Sequence, residues 1–296
     1  MHGQVGGISP DVPPRQCLVP TYEVQERDVT YRADGSQSLL ARIYQPAGSG
    51  PFPALIKVPG GAWRHATRTA NAHVDRALAE SGLVVVSIDT RSSDLEPYPA
   101  SVADVNFATR WLKAHAGEFN ARPDAVGGLG YSSGGHLIVL SAMRPRDPRY
   151  AAIPLPDAAD VDASLAYVLL AWPGADPYAL YRKARAAGDE GVNIMAYFQD
   201  DDTLQEANPQ LILERDEAVE LPSALLLQGA RDDVVIPAMN AQFVSTYSRA
   251  GGRIELAMFP GEGHSFTGQS GPSTSRAIDL MRSFIARQLA AIAAGW

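Results

Sequence analysis

Gly130-Tyr131-Ser132-Ser133-Gly134-Gly135-His136 decides how this chain is read. An apolar run, Ala125-Val126-Gly127-Gly128-Leu129, enters it, and a helix-forming run leaves it from about Ser133 to Met143. The stretch fits G-x-S-x-G, the pattern of a strained strand-to-helix corner in which glycines flanking the serine at two residues' distance let the backbones pass without a Cβ clash. Such a corner holds the Ser132 hydroxyl in the open at the start of a helix, where the Ser133 amide and the helix dipole face any oxygen bound there. Ser132 is therefore the expected nucleophile. Ser133 fails the frame, which would need glycine at Tyr131. The competing reading is a Gly/Ser-rich turn without chemistry, and the rest of the chain has to decide between the two.

Outward from the corner, the elements alternate. Val24 to Tyr31 and Leu39 to Tyr44 alternate apolar and polar residues about a turn at Ala33-Asp34-Gly35-Ser36, which predicts an opening β-hairpin. Ala54 to Val58 and Leu83 to Ile88 are short apolar runs of the kind buried on both faces of a parallel sheet, with a helix over Ala72 to Glu80 between them. A helix from Ser101 to His115 leads to the strand that feeds the corner. Further strands are expected at Ser164 to Ala171, Ala224 to Gln228 and Arg253 to Phe259, with helices at Ala238 to Ala250 and Ser273 to Ile292. This order predicts an α/β fold, a mostly parallel sheet of about eight strands covered by helices, with functional residues at the carboxyl ends of strands. Arg144 to Asp162 reads as a long loop. The segment from Pro173 to Pro222 exceeds a normal crossover and is expected to hold two or three short helices, a cap-like insertion at about 174–221 in a single domain spanning 22–296, after a tail over 1–21.

A serine hydroxyl needs a base within reach, and the base needs an orienting acid. Of six histidines, His264 follows the last predicted strand in Phe259-Pro260-Gly261-Glu262-Gly263-His264-Ser265-Phe266, where a base belongs. His65 follows the loop at Pro59 and lies within possible approach of the site. His136, one turn into the helix after the corner, is expected to pack beneath it as a structural residue. His2, His73 and His115 are not at strand ends. For the acid, Gln228-Gly229-Ala230-Arg231-Asp232-Asp233 leaves the penultimate strand; Asp232 is the expected acid, and Asp233 the alternative. Val58-Pro59-Gly60-Gly61-Ala62-Trp63 leaves the third strand, and the amides of Gly61, Ala62 and Ser133 are the expected oxyanion donors. Trp63, Tyr131, Trp172 and Phe266 each neighbour a motif and are candidate pocket walls, with core filling as the competing role.

Composition narrows the classes. The 296 residues are 46% hydrophobic and 20% charged, as in an ordinary globule, and the formal charge of -8 comes without a basic run, which argues against a nucleic-acid partner. No stretch reaches the roughly 20 apolar residues of a membrane span, and no signal-peptide pattern opens the chain. Cys17 is the single cysteine, so no intrachain disulfide and no cysteine-bound metal is expected. A cytoplasmic setting and a small-molecule partner follow as expectations.

Together the Pro59–Trp63 loop, the Gly130–His136 corner, the Gly229–Pro237 acid loop and the Gly261–Phe266 histidine loop resemble those of α/β-hydrolases of the esterase/lipase superfamily. The chain is most similar to small bacterial carboxylesterases and acyl-carbohydrate (acetyl or feruloyl) esterases, over about Tyr22 to the C-terminal helix. The resemblance implies hydrolysis of carboxylic esters through an acyl-enzyme, with a Ser-His-Asp triad and no metal or cofactor. It departs from the family in the oxyanion motif, which usually begins with histidine and carries a third glycine where this chain has Pro59 and Ala62. That leaves open what anchors the loop. A peptidase of prolyl-oligopeptidase type shares the triad order, and a non-catalytic hydrolase-like binding protein is the remaining alternative.

Overall fold

A computed structural model describes residues 21–34, 37–64 and 67–295. The tail with Cys17, the tip of the first hairpin and His65 lie outside the described residues. Eight strands form one sheet in the order β1-β2-β4-β3-β5-β6-β7-β8. They are β1 Val24–Asp34, β2 Gln37–Pro46, β3 Phe52–Val58, β4 Val84–Ile88, β5 Ala121–Tyr131, β6 Tyr167–Ala171, β7 Ser223–Gly229 and β8 Ile254–Phe259. The hairpin β1–β2 and the β2–β4 pair are antiparallel, and the five remaining pairs are parallel.

Both faces of the central strands are apolar because both are covered. In β4, Val84, Val86 and Ile88 join one apolar cluster while Val85 joins the other. Helices α1 Ala72–Glu80 and α9 Pro272–Ala293 pack together on one side. On the other lie α2 Ala100–Ala114 and α3 Ser133–Met143, again in mutual contact. Alternate side chains of a strand point to opposite faces, so a doubly covered strand reads as an unbroken apolar run.

The strand order matters for the site. From β3 the chain moves outward to β4, then returns to β5 on the opposite side of β3, so the carboxyl ends of β3 and β5 are neighbours from which the chain departs in opposite directions. Val58 pairs with Gly130 there. Such a switch point opens a crevice at the top of a parallel sheet.

The segment between β6 and β7 holds four helices, not two or three: α4 Pro177–Ala186, α5 Val192–Phe198, α6 Asp201–Glu206 and α7 Pro209–Glu214. Each of three starts carries its own cap. Asp176 accepts from the Ala179 amide, Asp200 from Thr203 and Asn208 from Leu211, with Pro177 and Pro209 at first helical positions. Helix α8, Pro237–Arg249, packs on α7, and α7 in turn contacts α3. The remaining bounds differ from expectation by a few residues; the largest shift is β5, which starts at Ala121 instead of Ala125.

Candidate active site

Ser132 sits between β5 and α3 with φ 50° and ψ -119°, a conformation that costs a non-glycine residue energy and persists only where its surroundings enforce it. They do so on three sides. The Ser132 amide donates to the Ala171 carbonyl at 3.0 Å, and the Ser132 carbonyl accepts from the Gly174 amide at 3.0 Å and the His136 amide at 3.2 Å. The flanking glycines are required by space: a Cβ on Gly130 would come within 2.5 Å of the Gly134 carbonyl oxygen, and one on Gly134 within 2.4 Å of the carbonyl oxygens of Val58 and Pro59. The corner is thus pressed directly onto the loop that leaves β3.

The Ser132 Oγ lies 3.1 Å from His264 Nε2. On the other side of the ring, Nδ1 is 2.9 Å from Asp232 Oδ2 and 3.0 Å from Oδ1. Asp232 is buried, and its carboxylate is well supplied with donors: the Val234 and Val235 amides at 3.0 and 2.9 Å on Oδ1, and Gln228 Nε2 at 3.2 Å on Oδ2. Gln228 is itself held by Asn240 Nδ2 at 2.6 Å. The acid and histidine loops are hydrogen-bonded to each other, the Arg231 amide donating to the Glu262 carbonyl at 2.7 Å. Asp233 is exposed, and its backbone carbonyl accepts from Lys183 Nζ at 2.5 Å.

In the loop after β3, Gly61, Ala62 and Trp63 all have positive φ, at 154°, 52° and 62°. The Gly61 amide donates to Ser133 Oγ at 3.1 Å. Of the three amides expected to face an oxyanion, Gly61's is therefore already engaged, whereas those of Ala62 and Ser133 have no protein acceptor among the described residues. The loop's anchoring, left open by Pro59, has a physical answer: this Gly61–Ser133 bond, and a bond from Trp63 Nε1 to His136 Nδ1 at 3.1 Å.

Two cavities meet at Ser132. One, of about 430 Å³, runs under α4 and α5 and is lined by Trp63, Leu180, Ile194 and Val235 among others. The second, of about 540 Å³, reaches past His264 and is walled by Tyr131, Trp172, Asn71 and Ala70. Three of the four expected aromatic walls therefore border one cavity or the other. Phe266 borders neither; it packs between Trp172 and Phe259, with ring centroids 4.8 and 4.6 Å away. It fills the core beneath the histidine loop.

Several supporting residues escaped the reading of the sequence. Lys57, fully buried in β3, pairs with the fully buried Asp75 of α1 at 3.0 Å and also donates to the Ala70 carbonyl, bracing the loop between them. Burial raises the Asp75 carboxyl to about 6 even with Lys57 beside it. A lone lysine inside an apolar strand was the available signal. Gln228 in β7 gave a similar one. Among the described residues no cluster of His, Cys, Asp and Glu is arranged to hold a metal ion.

A family model described as BD-FAE matches residues 42–246. The chain belongs to the BD-FAE family. Among curated relatives, esterase LipC of Mycobacterium tuberculosis is 29% identical over 91% of this chain and 68% of its own length. From the same organism, LipM, a probable carboxylic ester hydrolase, is 40% identical over 34% of this chain and 24% of its own length. Esterase LipQ, also from M. tuberculosis, is 27% identical over 83% and 58% respectively. The chain thus spans from about a quarter to about two thirds of the length of these relatives. Solved structures of like fold include a truncated carbohydrate esterase from gut microbiota, with TM-score 0.74 and 22% identity over 92% of this chain and 98% of that one. Another is Thermogutta terrifontis esterase 2 with butyrate bound, with TM-score 0.69 and 21% identity over 91% and 95%. At those identities the likeness speaks to the fold. This BD-FAE chain thus has the α/β-hydrolase fold that these esterases share.

Proposed function

We propose that the chain hydrolyses carboxylic esters by double displacement at Ser132. His264 Nε2 takes the Ser132 proton as Oγ attacks the ester carbonyl, and Asp232 holds the imidazole in the tautomer that leaves Nε2 free to accept. The developing oxyanion is received by the Ala62 and Ser133 amides at the start of α3, with Gly61 joining them once its bond to Ser133 Oγ yields. His264 then protonates the departing alcohol, activates water and repeats the sequence on the acyl-enzyme. The scheme calls on no metal and no cofactor. The observation that carries it is the unbroken hydrogen-bonded path from Asp232 through His264 to a serine held at positive φ between two cavities.

The same reading treats 174–221 as a cap over a single domain, since α4 and the start of α5 border the cavity of about 430 Å³. A cytoplasmic setting belongs to the proposal as well and rests on the single cysteine. No helix among the described residues is long and apolar enough to cross a membrane.

Initial rates on short p-nitrophenyl esters test the reading. Ser132→Ala is expected to lose turnover by at least ~10⁴-fold with its thermal midpoint near wild type, because alanine meets the same backbone demand at this position. A variant that keeps even a tenth of the wild-type rate removes Ser132 from the mechanism.

A further inference from the structure

His136 has no part in that scheme, yet it is fully buried one turn into α3 and both ring nitrogens are committed. Nδ1 accepts from the Trp63 indole at 3.1 Å, and Nε2 donates to the Ala207 carbonyl at 2.8 Å. An indole N–H can only donate and a carbonyl can only accept, so the pair dictates a neutral ring with its proton on Nε2. The three partners belong to three parts of the molecule. Trp63 ends the loop that carries Gly61 and Ala62. His136 sits in the helix whose first residue supplies the Ser133 amide. Ala207 lies at the junction of α6 and α7, inside the segment between β6 and β7.

The loop needs such a tie. Ala62 and Trp63 are consecutive non-glycine residues in the left-handed region, and a backbone of that kind stays put only where contacts over-determine it. Pro59 brings no side-chain hydrogen bond of its own. The indole is also clamped by α5, stacked on Tyr197 at 5.6 Å and edge-on to Phe198 at 5.5 Å.

We propose that His136 is a positioning residue for the oxyanion loop: through Trp63 it fixes the Ala62 amide against the Ser133 amide, and through Ala207 it makes that spacing depend on how the segment between β6 and β7 is seated. This rests on the function proposed above. Oxyanion donors act only within hydrogen-bond range of the charge that forms, and losing one costs about 10²- to 10³-fold in kcat, so a loop that is loosened but not removed should cost less.

Amide side chains separate the two halves of the tie. In His136→Asn, Oδ1 stands near the position of Nδ1 and accepts from Trp63, while the bond to Ala207 is lost. In His136→Gln, Nε2 stands near its imidazole counterpart and donates to Ala207, while the bond from Trp63 is lost. Trp63→Phe removes only the indole donor and retains an aromatic ring. The expected result on a p-nitrophenyl ester is a kcat lower by about 10- to 100-fold in His136→Gln and Trp63→Phe, with KM within about threefold of wild type. His136→Asn should retain at least about tenfold more kcat than His136→Gln and show its defect in KM. A purely structural histidine would lower both amide variants alike, in step with their stability. Equal kcat in the two amide variants, or wild-type kcat in Trp63→Phe, overturns the proposal. Should a histidine variant not fold, Trp63→Phe decides alone. Failure of the tie leaves Ser132→Ala inactive, whereas failure of the underlying reading shows as turnover in Ser132→Ala itself.

Discussion

At the scale of single residues, Asp232 shows how the surroundings select one of two adjacent carboxylates. Its oxygens receive Val234 and Val235 amides, the Gln228 amide group and the His264 ring, an all-donor shell that suits a buried anion. In Asp232→Asn one oxygen becomes a donor, so the imidazole turns to the tautomer with its proton on Nε2 and can no longer accept from Ser132. The expected cost is about 10³- to 10⁴-fold in kcat, set against a less than about threefold change for Asp233→Asn, read from initial rates on the same ester. Comparable losses in both variants would contradict the assignment. Ser132, Asp232 and His264 were legible because each follows the end of a parallel strand, where the topology alone gathers side chains. The bond between Trp63 and His136 was not, since it spans 73 positions and depends on how a loop and a helix approach each other.

At the scale of elements, the strands were read to within a few residues because doubly buried strands leave apolar runs. The four helices between β6 and β7 were undercounted for a different reason: three of them have only six or seven residues, too few to set up a helical period. Three of their starts were nonetheless written in the chain as Asp176-Pro177, Asp200 before Asp201 and Asn208-Pro209, signals of capping instead of hydrophobic pattern. Helix α3 carries a consequence for stability. Burial lowers the His136 pKa from 6.5 to about 4, and the rings of Trp63, Tyr197 and Phe198 that surround it bring no charge to offset this. The unfolded chain therefore binds the proton first. The neutral ring's contribution is fully present above pH 6.5 and is lost as pH falls through about 4, on the order of 3 kcal/mol in all. Denaturant unfolding at steps between pH 7 and 4 should show stability falling with pH, and the fall should be shallower by about one proton in His136→Gln. An identical slope in the two proteins would mean that His136 titrates normally.

At the scale of the whole molecule, the sheet order brings four separately encoded loops to one crevice. The β3 loop and the β5 corner meet because β3 and β5 are neighbours that send the chain in opposite directions, and the acid and histidine loops meet because β7 and β8 are neighbours. The segment between β6 and β7 lines the cavity of about 430 Å³ beside Ser132. It is fastened to the body through Glu206, which receives Arg144 at 2.7 Å, Arg149 at 2.9 Å and the Tyr98 hydroxyl at 2.8 Å, and through the His136–Ala207 bond. The fold and the geometry of the candidate site were thus legible from strand ends and turn residues, while the bracing that holds the loops depends on contacts that no local pattern carries. The central claim is that one serine in this crevice is the nucleophile. Its most direct test is to treat the wild-type protein with a fluorophosphonate and locate the adduct by peptide mass spectrometry. A single modification at Ser132, accompanied by complete loss of esterase activity, is the predicted result. Modification at Ser133 or at another residue, or loss of activity with no adduct on Ser132, would contradict it.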